Sequence, residues 1–228
     1  MRETQAQSVR ERPVKIQIGK VSINGDLGVP EGAGGVVLFA HGSGSSRFSP
    51  RNRSVAGVLR QAGLATLLMD LLTEEEEKVD MVTRHLRFDI PLLAGRLAGA
   101  TRWLREDAET KRLRIGYFGS STGAAAALVA AARLPEEVSA IVSRGGRPDL
   151  AGGSLPLVKA PTLLIVGGDD VPVIGMNREA IQMMKAKPEL VIVPGASHLF
   201  EEPGKLEEAA RLARDWFKLY LSGEEAKS

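Results

Sequence analysis

The chain has 228 residues, 43% of them apolar and 25% charged, a length that suits one large domain with a full core and is short for two. Thirty basic against 28 acidic side chains leave a net charge of +2 with the signs interspersed, which speaks against a nucleic-acid surface. There is no cysteine, so disulfides, thiolate metal sites and a cysteine nucleophile are excluded.

Residues 1–13 are polar and charged, lack the apolar stretch of a secretory leader, and read as a flexible tail. Val14 to Ile18 and Val21 to Val29 alternate apolar and polar residues around Gly19-Lys20, which predicts an antiparallel hairpin at a sheet edge. Val36 to Ala40 is a continuous apolar run, the pattern of a strand buried on both faces, and it ends in the loop His41-Gly42-Ser43-Gly44-Ser45-Ser46-Arg47. Asn52 to Ala62 has helical spacing, and Leu64 to Met69 is a second buried strand ending at Asp70. Glu74 to Glu77 reads as a solvated acidic loop, because four consecutive carboxylates diverge and do not make a metal site. Asp89 to Ala108 is an amphipathic helix. Arg114 to Gly119 is a buried strand that breaks into Gly119-Ser120-Ser121-Thr122-Gly123 and restarts as an alanine-rich helix. Strands follow at Val138 to Ser143, Thr162 to Val166 and Leu190 to Val193. Helices are expected at Met176 to Lys187 and Leu206 to Leu221. The expected architecture is α/β: a mostly parallel sheet of about eight strands, an N-terminal antiparallel hairpin and helices on both faces. One domain is expected over residues 14–222, with a polar tail at 223–228. No apolar run approaches the ~20 residues of a membrane span, and the expectation is a cytoplasmic protein without membrane or nucleic-acid partners.

In an open parallel sheet, function gathers where the strands end at their carboxyl side. The polar residues that directly follow predicted strands are His41 to Arg47, Asp70, Ser120 to Thr122, Arg144 to Asp149, Asp169 and Asp170, and Ser197-His198. Ser121 stands at the centre of a G-x-S-x-G pattern between a strand and a helix. A serine hydroxyl needs a histidine to take its proton, and that histidine needs a carboxylate to fix its tautomer. Of three histidines, His85 precedes a helix between arginines and His41 lies ahead of the serine. His198, after the last strand, is the well-placed one.

Five stretches in order carry a family resemblance: His41-Gly42-Ser43-Gly44-Ser45, Gly119 to Gly123, Ser143 to Asp149, Gly167 to Val173 and Gly195 to His198. From Val14 to Leu221 the chain resembles the α/β-hydrolase superfamily, in particular its small lid-free branch similar to dienelactone hydrolases. The resemblance implies Ser121 as nucleophile, His198 as base and Asp170 as acid, with Asp169 as the rival that spacing does not separate. It implies an oxyanion hole from the backbone N–H groups of Ser43 and Thr122, with the His41 side chain as a brace behind it. It also implies no cap, since only Leu150 to Ala160 separate two strands where capped relatives carry an insertion. Dienelactone hydrolases proper use a cysteine nucleophile, so the serine here points to a more general esterase.

The implied activity is hydrolysis of small carboxylic esters through an acyl-enzyme, with no cofactor and no metal, in a monomer or homodimer. Arg47, Arg144 and Arg147 border the same rim. Arg144 is the candidate for binding an anionic substrate group, against the plainer reading of surface arginines pairing with Asp149 or solvent. The alternatives on the same residues are acyl transfer and a non-catalytic binding protein. A nucleotide-binding module built on Val36 to Asp70 lacks the G-x-G-x-x-G spacing and leaves Ser121 and His198 without work.

Overall fold

The computed structural model describes residues 8–222. Eight strands form one sheet: β1 (Val9–Ile18), β2 (Val21–Pro30), β3 (Gly35–Ala40), β4 (Leu64–Met69), β5 (Arg114–Ser120), β6 (Val138–Arg144), β7 (Thr162–Gly167) and β8 (Glu189–Val193). Their order across the sheet is β1-β2-β4-β3-β5-β6-β7-β8. The β1–β2 hairpin and the β2–β4 pairing are antiparallel, and every later pairing is parallel. The expected edge hairpin is present and longer than its apolar pattern. Val9 to Pro13, read from sequence as tail, continue β1, with Val9 opposite Pro30. Proline is tolerated there because an edge strand has a free side. The polar tail expected at 223–228 lies outside the described residues.

Among the described residues six α-helices cover the sheet: α1 (Pro50–Gln61), α2 (Glu74–Thr83), α3 (Ile90–Glu106), α4 (Thr122–Arg133), α5 (Val171–Met183) and α6 (Lys205–Leu221). The period of two in β3 sorts its residues between two cores. Val36 and Leu38 join the cluster containing Leu93 and Leu97 of α3 and the alanines of α4. Val37 and Phe39 join Val55 and Leu59 of α1 and Trp216 and Phe217 of α6. Full burial of a side chain such as Phe217 contributes about 1.5–3 kcal/mol, and its ring occupies the space that Gly116 leaves on β5. Among the described residues, no helix is long and apolar enough to cross a membrane.

The glutamate run is a correction. Glu74 to Glu77 open α2 instead of forming a loop. Thr73 Oγ1 accepts from the Glu76 N–H at 3.2 Å and the Thr73 N–H donates to Glu76 Oε2 at 2.8 Å, a reciprocal cap. The four carboxylates also face the positive end of the helix dipole.

β6 and β7 are joined by a short 3₁₀ segment, Pro148–Leu157, whose Ala151 and Leu155 are buried in the α3/α4 core. The connection packs down onto the domain and makes no cap.

Gly123 shows how closely the chain is packed around the β5–α4 turn, and Gly57 shows the opposite case. A Cβ on Gly123 would run into the Ala40 and His41 carbonyls, which are backbone and cannot turn aside. A Cβ on Gly57, in α1, meets nothing within 4 Å. Gly123→Ala is therefore expected to destabilise by at least about 1–3 kcal/mol, and Gly57→Ala to stabilise by about 0.4–1 kcal/mol, both read from urea unfolding midpoints.

Candidate active site

The β5 strand ends at Ser120, and α4 starts at Thr122, so the whole reversal falls on Ser121. Its backbone sits at φ 49°, ψ −123°, a region that costs a non-glycine residue about 1–3 kcal/mol. Three hydrogen bonds hold the turn. The Ser121 N–H donates to Arg144 O at 3.3 Å, the Arg147 N–H donates to Ser121 O at 3.1 Å, and the Ala124 N–H donates to the same oxygen at 3.1 Å. Ser120 is buried beneath the turn, donating its hydroxyl to Asn52 Oδ1 at 3.0 Å and accepting from Arg144 Nη2 at 3.2 Å.

Asp170 follows β7 and His198 follows β8. The two strands are parallel neighbours, so both loops leave the same sheet end. Asp170 Oδ2 lies 2.6 Å from His198 Nδ1. Asp169 is exposed, and its backbone N–H is bonded to Ala196 O at 3.0 Å. Of the two acids that spacing left open, Asp170 is the one on the imidazole. Ser121, His198 and Arg144 line one small cleft of about 80 Å³, together with Ser43, Arg51 and Asn52.

The loop after β3 is tied down at both ends. His41 Nδ1 is 2.9 Å from Gly42 O, and His41 Nε2 accepts from the Leu71 N–H at 3.2 Å. Those bonds define a neutral ring protonated on Nδ1, and burial pushes its pKa below the ordinary histidine value. His41 thus braces the loop. The Ser43 N–H points to Thr122 and donates to Thr122 Oγ1 at 2.9 Å. The sequence assigned Thr122 a part through its backbone alone; in the structure its hydroxyl also holds the Ser43 amide. Asp70 caps the same loop, accepting from the Arg47 N–H at 2.9 Å and pairing with the Arg47 guanidinium.

The three rim arginines separate. Arg47 pairs with Asp70, and Arg147 pairs with Asp149 at 2.7 Å, a contact that raises the Arg147 pKa. Arg147 follows the plainer reading, while Arg47 has an acid that reading did not name. Arg144 is different: it is 6% exposed, at the end of β6, and lines the cleft. His85 is exposed, with Nδ1 2.7 Å from Thr83 Oγ1 and away from the cleft. Sequence reasoning missed Ser49, Arg51 and Asn52, which bring the first turn of α1 into the site. Ser49-Pro50 signals a helix start, but nothing local says that this start faces Ser121. Among the described residues no three His, Asp or Glu side chains converge as a metal site.

Comparison with known proteins places this geometry. Residues 24–221 match the model of the dienelactone hydrolase family. A Mycobacterium tuberculosis protein provisionally named a phosphoribosyl transferase is 57% identical over 215 residues, 94% of this chain and 48% of that relative. The chain therefore spans about half the length of the curated relatives that it matches most extensively. A crystal structure of a dienelactone hydrolase from Anabaena variabilis superposes with a TM-score of 0.92 at 63% identity, covering 93% of this chain and 99% of that one. An α/β serine hydrolase without lid from Xanthomonas campestris shares the fold at a TM-score of 0.74 and 19% identity, covering 95% and 97% of the two chains.

The buried neutral His41 makes a pH prediction. Its folded pKa lies below the unfolded value, so its cost is absent above the ordinary histidine pKa. As pH falls through that value the unfolded chain takes up a proton that the fold does not, and stability drops. Urea unfolding at about pH 7.5 and pH 5.5 should show a loss in the wild type that is smaller in His41→Gln. An equal loss in both would show that His41 is not its source.

Proposed function

The chain belongs to the dienelactone hydrolase family, and from that premise we propose that it is a serine hydrolase of small carboxylic esters working through an acyl-enzyme on Ser121. The observation that carries this reading is the 2.6 Å Asp170–His198 contact in the same cleft as a serine held at φ 49°. Asp170 fixes the imidazole with its proton on Nδ1, which leaves Nε2 free to take the Ser121 proton as Oγ attacks the ester carbonyl. The carbonyl oxygen becomes negative as the tetrahedral intermediate forms. The Thr122 N–H, at the start of α4, receives it, joined by the Ser43 N–H once the substrate oxygen replaces Thr122 Oγ1 as its acceptor. His198 then gives the proton to the departing alkoxide. In the second half a water, deprotonated by His198, attacks the acyl-serine and releases the acid.

The absence of cysteine in the sequence makes the serine the nucleophile in this reading. The Pro148–Leu157 connection packs onto the α3/α4 core and adds no cap, which favours small esters over long lipid chains. Acyl transfer would use the same residues with an alcohol or amine in place of water. The transferase name attached to the Mycobacterium relative concerns a chain of which this one matches 48%. What this part supplies is the strained serine and the Asp–His pair.

The test is labelling with a neutral serine-directed phosphonate followed by peptide mapping, alongside turnover of 4-nitrophenyl acetate and butyrate. Ser121 is expected to carry the label. Ser121→Ala is expected to lose at least about a thousandfold in kcat, and Asp170→Asn at least about a hundredfold. Asp169→Asn should stay within about threefold of wild type. Undiminished turnover in Ser121→Ala would defeat the reading.

A further inference from the structure

Asn177, on α5, is fully buried and does not line the cleft. Its Nδ2 donates to Val173 O at 2.8 Å, one turn back on the same helix, and to Gly146 O at 3.1 Å in the turn after β6. Both protons of the amide are spent on carbonyls, which fixes its orientation, because a flipped amide would set Oδ1 against two carbonyl oxygens. Oδ1 itself is buried without a hydrogen-bond partner. An unpaired buried acceptor is a cost, so the side chain acts here through its donor end, which an apolar residue of the same size would lack.

The turn that Asn177 holds touches both the nucleophile and the base. Arg144 O accepts from the Ser121 N–H at 3.3 Å, and the Arg147 N–H donates to Ser121 O at 3.1 Å, so the two ends of Arg144-Gly145-Gly146-Arg147 grip the strained serine. Between them Gly145, at φ 53°, lies against the imidazole loop. A Cβ there would stand 3.0 Å from His198 O and 3.6 Å from its Cε1 and Nδ1. The Gly145 N–H is bonded to Ile165 O at 2.8 Å, and the carbonyl of the next residue goes to Asn177. The helix bearing Asn177 begins directly after Asp170, whose backbone carbonyl accepts from the Ile174 N–H at 3.0 Å and whose carboxylate lies on His198. Asn177 thereby ties the helix that follows the acid to the turn that grips the serine and backs the histidine.

We infer that Asn177 is a positioning residue for the hydrolysis: through Gly146 it sets where the Arg144–Arg147 turn stands relative to α5, and with it the spacing of Ser121, His198 and Asp170. It lies outside the cleft and acts through the turn alone. This rests on the serine-ester reading and adds to it a residue remote from the substrate. Transfer of the Ser121 proton needs the hydroxyl and the imidazole within hydrogen-bond reach, and a misplacement of about 1 Å costs on the order of a hundredfold in rate. A loosened turn therefore shows in kcat more than in KM.

The experiment replaces Asn177 in the full chain and measures kcat and KM for 4-nitrophenyl butyrate, the rate at which the neutral phosphonate labels Ser121, and the proton resonance of His198 Nδ1–H. The short contact to Asp170 moves that resonance downfield, and its loss in His198→Gln assigns it. Asn177→Leu keeps the volume and removes the donor. Asn177→Ser leaves a hydroxyl for the Val173 carbonyl but does not reach Gly146 O, and it keeps the test open if the leucine variant does not fold. Ala180→Gly, buried on the same helix, is the control, since it weakens α5 without removing the bond to Gly146. Both Asn177 variants are expected to lose at least about tenfold in kcat and in labelling rate, with KM within about threefold of wild type, and to shift or broaden the Nδ1 proton. Ala180→Gly is expected to lower the urea midpoint, hold kcat and labelling within about threefold and leave the resonance in place. Kinetics and resonance unchanged in the folded Asn177 variants, or equal losses in Ala180→Gly, would overturn the inference. The resonance needs no turnover. Should wild type neither cleave ester nor take the label, the ester reading fails, and the Nδ1 proton alone decides whether Asn177 positions the Asp170–His198 pair.

Discussion

The backbone of Ser121 is the constraint on which the rest of the structure depends. A non-glycine residue at φ 49° stores about 1–3 kcal/mol, and it persists only because the surroundings leave it no alternative. Gly119 lies against the Ala124 backbone, and Gly123 against the Ala40 and His41 carbonyls, so any larger residue would lift α4 from the sheet. The alanines of α4 serve the same end, bringing a helix that is buried on nearly all sides close to its neighbours. The strain is offset by packing on both faces of the sheet. In return the turn aims a hydroxyl away from the strand and places the first free amides of α4 beside it.

Charge is the second layer, and it is arranged locally. A net charge of +2 says nothing of it. Around the strand ends most arginines are paired and serve as fastenings: Arg47 with Asp70 ties the loop after β3 to the loop after β4, and Arg87 with Asp80 ties the end of α2. Against that background Arg144 is buried at the cleft without an acid partner. The link from Arg144 through Ser120 to Asn52 joins the end of β6, the turn after β5 and the start of α1.

What the sequence revealed and what it hid follow from how local each cause is. Runs such as Val36 to Ala40 and Leu64 to Met69 can be read because burial on both faces demands continuous apolar side chains. Ser121 and His198 stand out as candidates because the turn needs small neighbours and the histidines are few, and the structure places both on one cleft. α2 was hidden: Asp80 is its one buried residue, so it has almost no apolar stripe, and its stability comes from a cap and from Arg96 and Arg87 in other segments. Val9 to Pro13 were hidden because their alternation is polar and the pairing with β2 supplies the order. The fate of Arg144 was hidden as well. Arg144 and Arg147 look alike in sequence, and only the sheet buries one and leaves the other beside Asp149.

The choice between Asp169 and Asp170 shows how topology completes the chemistry. β7 and β8 run parallel in register, Gly167 opposite Val193, so the turns that follow them lie side by side. The Gly168 N–H donates to Val193 O at 2.8 Å and the Asp169 N–H to Ala196 O at 3.0 Å, stitching one turn to the other. Gly167 permits that approach, since a Cβ there would press on the Ala196 and Ser197 carbonyls. With the Asp169 backbone pinned to the neighbouring turn and its side chain exposed, the next residue carries its carboxylate to the imidazole. Two adjacent acids of equal chemistry are thus separated by backbone hydrogen bonds between two loops. The acid–histidine contact, 28 residues apart in sequence, is set by the parallel pairing of the last two strands.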